Sequence, residues 1–278
     1  MGILETICEE RRADAARNKR RRPASSLARE ASPPRPAFRA IGAKRDDNRG
    51  GLLIAECKRA SPSRGLMLEN YDPVHLARAY ERGGAGLVSV LTEPRHFLGA
   101  DGHLAAVRGA VGLPVLRKDF VVDPYQIVEA CAIGADAILL IADALGESEL
   151  CDFGAQAHEL GLSVLVELRE AEQLEKVLAA EPDAVGVNSR DLRDFSVHRD
   201  RAAALAKLLA LAIPKGTLLV AESGMRTADD VAALQKAGYR GFLVGEALAT
   251  AAAPEAAARL LARAACDGEA AREGSICA

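Results

Sequence analysis

Eight short apolar runs, each followed by a longer segment of helical period, constrain this chain more than any other feature. They are Leu52–Lys58, Gly86–Thr92, Pro114–Asp119, Ala137–Ala142, Ser163–Leu168, Ala184–Arg190, Leu218–Ser223 and Gly241–Glu246. Each is nearly continuous in apolar residues and none alternates apolar with polar. A strand with one wet face alternates; a strand buried on both faces, as in an all-parallel sheet, does not. The segments between the runs are rich in Ala, Leu, Glu and Arg at helical spacing. Eight strand–helix units within about 215 residues predict a (β/α)8 TIM barrel, an α/β fold. The competing arrangement, an open doubly wound sheet, would carry a GxGxxG turn after a strand, and the sequence has none.

The helices have readable ends. Asp72-Pro73 and Asp123-Pro124 each offer a capping carboxylate followed by a proline suited to the first helical turn. Thr227 precedes a first turn carrying Asp229 and Asp230, and Gly83, Gly134, Gly161 and Gly238 fall where helix C-termini are expected. Ahead of the barrel, residues 1–50 form an N-terminal extension rather than a second domain. It comprises a helix from Ile3 to about Lys19, the basic run Lys19–Arg22 at its end, a stop at Pro23, and the proline-rich connector Ser32–Pro36. The barrel is expected over 51–266, closed by a helix from about Pro254 to Cys266. Residues 267–278 are expected to form a flexible tail.

Reactive groups of such barrels sit at the C-terminal ends of the strands and in the loops that follow. Those ends read Glu56 and Lys58, then Lys118 and Asp119, Glu167, Asn188 and Arg190, Glu222-Ser223-Gly224, and Gly245-Glu246. Side chains alternate along a strand, so Glu56 and Lys58 share a face. The odd-numbered strands thereby send Glu56, Lys58, Lys118, Glu167 and Glu222 to one mouth. Opposite charges gathered in this way shift each other's proton affinities and suit acid–base work. Glycines at the ends of strands seven and eight let backbone N–H groups face an anion, and those loops are the usual phosphate site of the fold. Ser61, above Lys58, is a further candidate for that shell.

Other function classes are disfavoured. A net charge of −3 argues against wholesale nucleic-acid binding, and Lys19–Arg22 reads as a solvated helix end complementing the helix dipole. No apolar run reaches the ~20 residues needed to span a bilayer. Six cysteines stand without CxxC pairing or zinc spacing, and five histidines without HxH or HExxH, so reduced thiols of a cytoplasmic protein and no metal site are expected. With 49% apolar residues, no Trp and only 4% aromatics, the core must be built from Ala, Leu and Val.

Several motifs resemble those of the indole-3-glycerol-phosphate synthases. They are Ile54-Ala55-Glu56-Cys57-Lys58-Arg59-Ala60-Ser61-Pro62-Ser63-Arg64-Gly65, Ser89-Val90-Leu91-Thr92 with Phe97 and Gly99, and Leu116-Arg117-Lys118-Asp119-Phe120 running into Asp123-Pro124-Tyr125-Gln126. Leu165-Val166-Glu167, Gly186-Val187-Asn188-Ser189-Arg190-Asp191-Leu192 and Glu222-Ser223-Gly224 follow in that family's order. The likeness runs from about Ile3 to Ala265. It implies ring closure of 1-(2-carboxyphenylamino)-1-deoxyribulose 5-phosphate to indole-3-glycerol phosphate, with loss of CO2 and water, in tryptophan biosynthesis. It implies no cofactor, because the ring nitrogen supplies the electrons. It also implies a small phosphorylated substrate handled by a monomer or weak homodimer, with neither nucleic acid nor membrane as partner.

Carried over residue by residue, the resemblance makes Lys118 the general acid at the carbonyl and Glu167 the acid–base partner in dehydration. Lys58 is shared between substrate anions and proton transfer, and Glu56 tunes the lysines. Asn188 and Glu222 orient sugar hydroxyls and charged groups. Arg190 pairs with the substrate carboxylate or holds Glu56. Ser61, Ser223, Gly224, Gly245 and Glu246 match phosphate-loop positions, and Phe97 and Phe120 line the side where the aromatic ring stacks. Two departures stand out. The last loop reads Gly245-Glu246-Ala247-Leu248-Ala249-Thr250, where Ser and Met are commoner after the Glu, and Ser189 stands where a second Asn is frequent. Glu246 beside a phosphate is tolerable only if it points away and the helix N-terminus binds the anion. The alternative is a Schiff-base aldolase or isomerase on the same fold, with Lys118 as a nucleophile whose pKa Lys58 would lower.

Overall fold

The computed structural model describes residues 2–27, 29, 32–38, 50–191, 196–198 and 200–266. Eight strands close into one barrel: β1 (Leu52–Cys57), β2 (Leu87–Leu91), β3 (Val115–Lys118), β4 (Ala137–Ile141), β5 (Ser163–Leu168), β6 (Ala184–Asn188), β7 (Leu218–Glu222) and β8 (Gly241–Val244). Every neighbouring pair is parallel, and β1 completes the ring by pairing with both β2 and β8. The strands are buried along nearly their whole length, on the barrel side and on the helix side. That double burial is why the sequence runs are continuous rather than alternating. Every strand but β5, which ends with its run at Leu168, stops one or two residues before its apolar run does, so the reactive residues near the run ends stand at the lip of the barrel or in the loops.

The expected caps form, with two adjustments. Asp72 accepts from the N–H groups of Val74 and His75 at 3.0 and 2.9 Å. Thr227 and Asp230 cap each other's backbone at 3.2 and 2.9 Å. Helix Tyr125–Ala132 begins after Pro124, with Asp123 accepting from Tyr125 N–H at 2.8 Å. After helix Pro73–Arg82 the left-handed residue is Gly84 (φ +89°), whereas Gly83 keeps a right-handed φ of −76°. Gly83 is glycine for a different reason: a Cβ there would lie 2.6 Å from the Cβ of Ala258, on the closing helix Pro254–Cys266.

The N-terminal helix Ile3–Arg21 lies on the barrel. Leu4, Ile7 and Cys8 join the main core, while Ala15 packs with Leu27 and Tyr125 in a smaller cluster. The connector is pinned by Arg35, whose guanidinium donates to the carbonyls of Val111 and Leu113 at 2.9 and 2.8 Å. The predicted tail, 267–278, lies outside the described residues. Among the described residues no helix is long and apolar enough to cross a membrane.

Candidate active site

The mouth of the barrel gathers the predicted residues. Glu56, Lys58, Ser61, Phe97, Lys118, Phe120, Glu167, Asn188, Arg190, Glu222, Ser223, Gly224, Gly245 and Glu246 all line one pocket. Leu91, Leu139, Ile141, Met225 and Leu243 add an apolar lining. The odd strands supply the charged ring, as their sequence positions require. Glu56 and Lys58 form an ion pair of 2.6 Å, the outcome of sharing one strand face. Lys118 stands 3.8 Å from a carboxylate oxygen of Glu167 and 3.8 Å from one of Glu222.

These carboxylates are short of partners. Glu167 and Glu222 are 2% and 1% exposed, and none of their four oxygens meets a hydrogen-bond donor. Burial first, then the neighbouring Glu167 charge, push the Glu222 carboxyl up to about 8 despite Lys118. Burial and the Glu167 charge thus favour the protonated form of Glu222 near neutral pH. Burial opposes ionisation of Glu56, but Lys58, then Lys118 and Arg190, outweigh it and hold its pKa below the ordinary value. Burial disfavours the Lys118 ammonium, yet Glu222, Glu167 and Glu56 together raise its pKa. The expectation that Lys58 depresses Lys118 is thus corrected: Lys58 is paired with Glu56, and the carboxyl groups around Lys118 raise its pKa rather than lower it.

Two glycines make room for this ring. A Cβ on Gly245 would lie 2.2 Å from Glu56 Oε1 and 2.8 Å from Lys58 Nζ. A Cβ on Gly186, in β6, would lie 2.1 Å from Glu222 Oε1. Gly186 was visible in the sequence only as part of a motif, and its role is to seat the Glu222 carboxylate. After β7 the chain turns through two left-handed residues, Ser223 (φ +66°) and Gly224 (φ +83°). A serine in that region is strained, and such strain concentrates at ligand sites.

The loops above complete the pocket. Asn188 Oδ1 accepts from the N–H of Arg190 at 2.9 Å. Arg190 donates to Ser63 Oγ at 3.0 Å, and Ser63 lies 3.5 Å from Ser61 Oγ. Phe97 and Phe120 face each other with ring centres 6.0 Å apart and planes at 39°. Glu246 does not point away, contrary to the condition derived from sequence. It is surrounded by Arg64 at 3.3 Å, Arg226 at 3.6 Å and Arg190 at 3.8 Å. Its charge is more than offset, so the rim remains cationic. Arg64 and Arg226 were missed because their role depends on loops one, seven and eight meeting in space; the cation two residues after Gly224 was the available hint.

One group of metal-ligand composition occurs among the described residues: Glu10, Glu93 and His96, with ligand atoms within 4.8 Å of one another. The fully buried Glu93 carboxylate already accepts the backbone N–H groups of Arg95, His96 and Phe97 at 2.8, 2.7 and 2.9 Å. Glu93 thereby anchors the loop that carries Phe97.

Comparison with known proteins agrees with this geometry. The family model described as indole-3-glycerol phosphate synthase matches residues 4–261. The indole-3-glycerol phosphate synthase of Chlorobium phaeovibrioides is 44% identical over 249 residues, covering 89% of this chain and 95% of that one. The Laribacter hongkongensis enzyme of the same name is 43% identical over 257 residues, 92% and 97% of the two chains. That of Rhodopirellula baltica is 51% identical over 196 residues, 70% and 74%. A near full-length family match, joined to the closed parallel barrel, establishes that the chain belongs to the indole-3-glycerol phosphate synthase family, carboxy-lyases of tryptophan biosynthesis.

Proposed function

We propose that the barrel mouth closes the indole ring of 1-(2-carboxyphenylamino)-1-deoxyribulose 5-phosphate, with Lys118 and Glu167 as the principal proton-transfer groups. The observation that carries this reading is the placement of one ammonium, Lys118, 3.8 Å from each of two buried carboxylates that have no hydrogen-bond donor. Such a cluster can protonate a carbonyl as it becomes a hydroxyl and return a proton in the dehydration. Lys118, held charged, donates to the ribulose carbonyl as the ring carbon attacks. Loss of CO2 restores aromaticity, and Glu167 assists departure of water. Glu222, protonated near neutrality, donates a hydrogen bond to a sugar hydroxyl, and Asn188 helps to orient the sugar. Glu56 keeps Lys58 in place beside the substrate anions.

The substrate's two ends fit the two halves of the pocket. Its aryl ring lies along Phe97 and Phe120. Its phosphate is received by Ser61, the Ser223-Gly224 turn and Gly245, under the cationic rim of Arg64, Arg190 and Arg226. Arg190 also helps hold Glu56 ionised. The aniline nitrogen supplies the electrons, so the scheme calls for no cofactor, and every residue in it comes from one copy of the chain. The Schiff-base alternative requires a lysine whose pKa is lowered, and Lys118 is shifted the other way.

Incubation with the substrate tests the proposal. The chain has no tryptophan, so indole emission belongs to the product. Growth of that emission is expected. A covalent adduct trapped by borohydride, without indole emission, would establish the aldolase reading instead.

A further inference from the structure

Two ion-pair arms, one buried and one partly exposed, run from the N-terminal helix to the two loops that carry Phe97 and Phe120. In the first, Arg11 donates to Asp119 through Nε and Nη2, at 2.9 and 2.8 Å. The same Asp119 carboxylate accepts the Phe120 N–H at 2.8 Å and the Thr92 hydroxyl at 2.6 Å. Arg11 and Asp119 are 6% and 1% exposed, and 108 residues separate them in sequence. In the second arm, Asp14 receives both terminal nitrogens of Arg95, each at 2.7 Å. Glu10 meets His96 Nε2 at 2.8 Å. Arg95, His96 and Phe97 are in turn fastened through their N–H groups to the buried Glu93.

Docking alone does not account for these arms. The helix already buries Leu4, Ile7, Cys8 and Ala15 against the barrel and its neighbours. Desolvating a guanidinium–carboxylate pair returns little net stability compared with apolar contact of the same size. A two-pronged ion pair does supply direction, fixing a loop in orientation as well as in distance. The first arm ends on the Phe120 N–H itself, the second on the side chains of Arg95 and His96, whose loop Glu93 fastens through N–H groups that include Phe97's, and the two rings are the ones that face each other across the pocket wall.

We propose that Arg11 is a positioning residue for the aryl-binding wall, acting through Asp119 to set Phe120 against Phe97. The inference rests on the assignment of that wall to the substrate's aromatic ring. The helix then acts on substrate affinity through the aryl end, leaving the Lys118–Glu167 chemistry in place. A misplaced wall weakens binding before it slows the chemical step, because the rings touch no reacting proton.

The test is a double-substitution cycle on the full chain, reading KM, kcat and melting temperature for Arg11→Met, Phe120→Ala and the pair. Arg11→Met is expected to raise KM about tenfold, the order expected for a displaced positioning group, with kcat changed much less. In the Phe120→Ala background the same substitution is expected to raise KM no more than about twofold, since residues acting through one contact are non-additive. Arg11→Lys, which keeps the charge but not the fork, falls between; if Arg11→Met does not fold, the cycle is run with Arg11→Lys. An equal fold-rise in KM in both backgrounds, or an unchanged KM in the first, overturns the proposal and leaves Arg11 a structural residue. If Phe120→Ala alone leaves KM unchanged, the assignment of the aryl wall fails instead.

Discussion

The end of strand β3 and the residue after it present two ionic clusters within three consecutive residues, and they are built to opposite rules. Arg117 and Asp119 belong to an outer network among helices and loops, which Asp119 brings to the edge of the pocket, while Lys118 between them sends its ammonium into the carboxylate ring. The outer network is saturated. Arg117 donates to Glu129 at 2.8 Å, to Asp101 at 2.9 Å and to the Gln126 carbonyl at 2.9 Å, and Asp119 is held by Arg11 and Thr92. The inner cluster has gaps of 3.8 Å and four carboxylate oxygens without a donor. Buried charge is costly unless it is paired and hydrogen-bonded. Where the charge is structural, the fold supplies those partners. On the function proposed above, groups of the substrate supply the partners that the reactive cluster lacks.

The comparison predicts different kinds of damage on the two sides. The largest effect is expected outside: Arg117→Met leaves Asp101, Asp119 and Glu129 without their shared cation and should cost about 3–5 kcal/mol in urea unfolding. A loss under about 1 kcal/mol would mean that the outer network is not structural. Inside, Glu167→Gln should lower turnover by at least ~100-fold without a matching loss of stability, and near-normal turnover would remove its assigned role. Gly186→Ala comes next. Its Cβ would lie 2.1 Å from Glu222 Oε1, so the carboxylate must move. Turnover should fall by about tenfold, the scale of a small misplacement at a reactive site. Unchanged kinetics would show that Glu222 tolerates displacement.

The smallest effect is a pH-dependent gain. Glu222 titrates in the folded protein at about 8, above its ordinary 4.5, so between those values the native state holds a proton that the unfolded chain has released. Native stability therefore falls as pH rises through that window, and the penalty is fully present above it. Glu222→Gln should raise the melting temperature, with a gain near zero below pH 4.5 that grows up to about pH 8. A gain that stays flat or shrinks across the window would show that Glu222 is not the carboxyl carrying the burial cost.

How far the sequence could be read follows from how local each signal was. The barrel was legible because burial on both strand faces leaves continuous apolar runs. The Glu56–Lys58 pair was legible because strand period two places both on one face. The mouth residues were legible as strand ends, a consequence of topology. The state of Lys118 was not, because it depends on three carboxylates arriving from β1, β5 and β7. The surroundings of Glu246 were likewise hidden, since Arg64, Arg190 and Arg226 reach it from separate loops. Gly83 was placed at a helix end for its conformational freedom, whereas Gly84 takes the left-handed turn and Gly83 makes room for Ala258. The Arg11–Asp119 pair leaves no pattern in a chain read residue by residue, because it spans more than a third of the molecule.

The central claim is that Lys118 is chemical while its flanking neighbours are structural. It is tested most directly by measuring turnover and urea stability together for Lys118→Ala. The expected result is a turnover at least ~100-fold lower, read as indole emission, in a protein that stays folded and loses less stability than Arg117→Met. Near-normal turnover, or a loss of turnover that merely follows unfolding, would contradict the account.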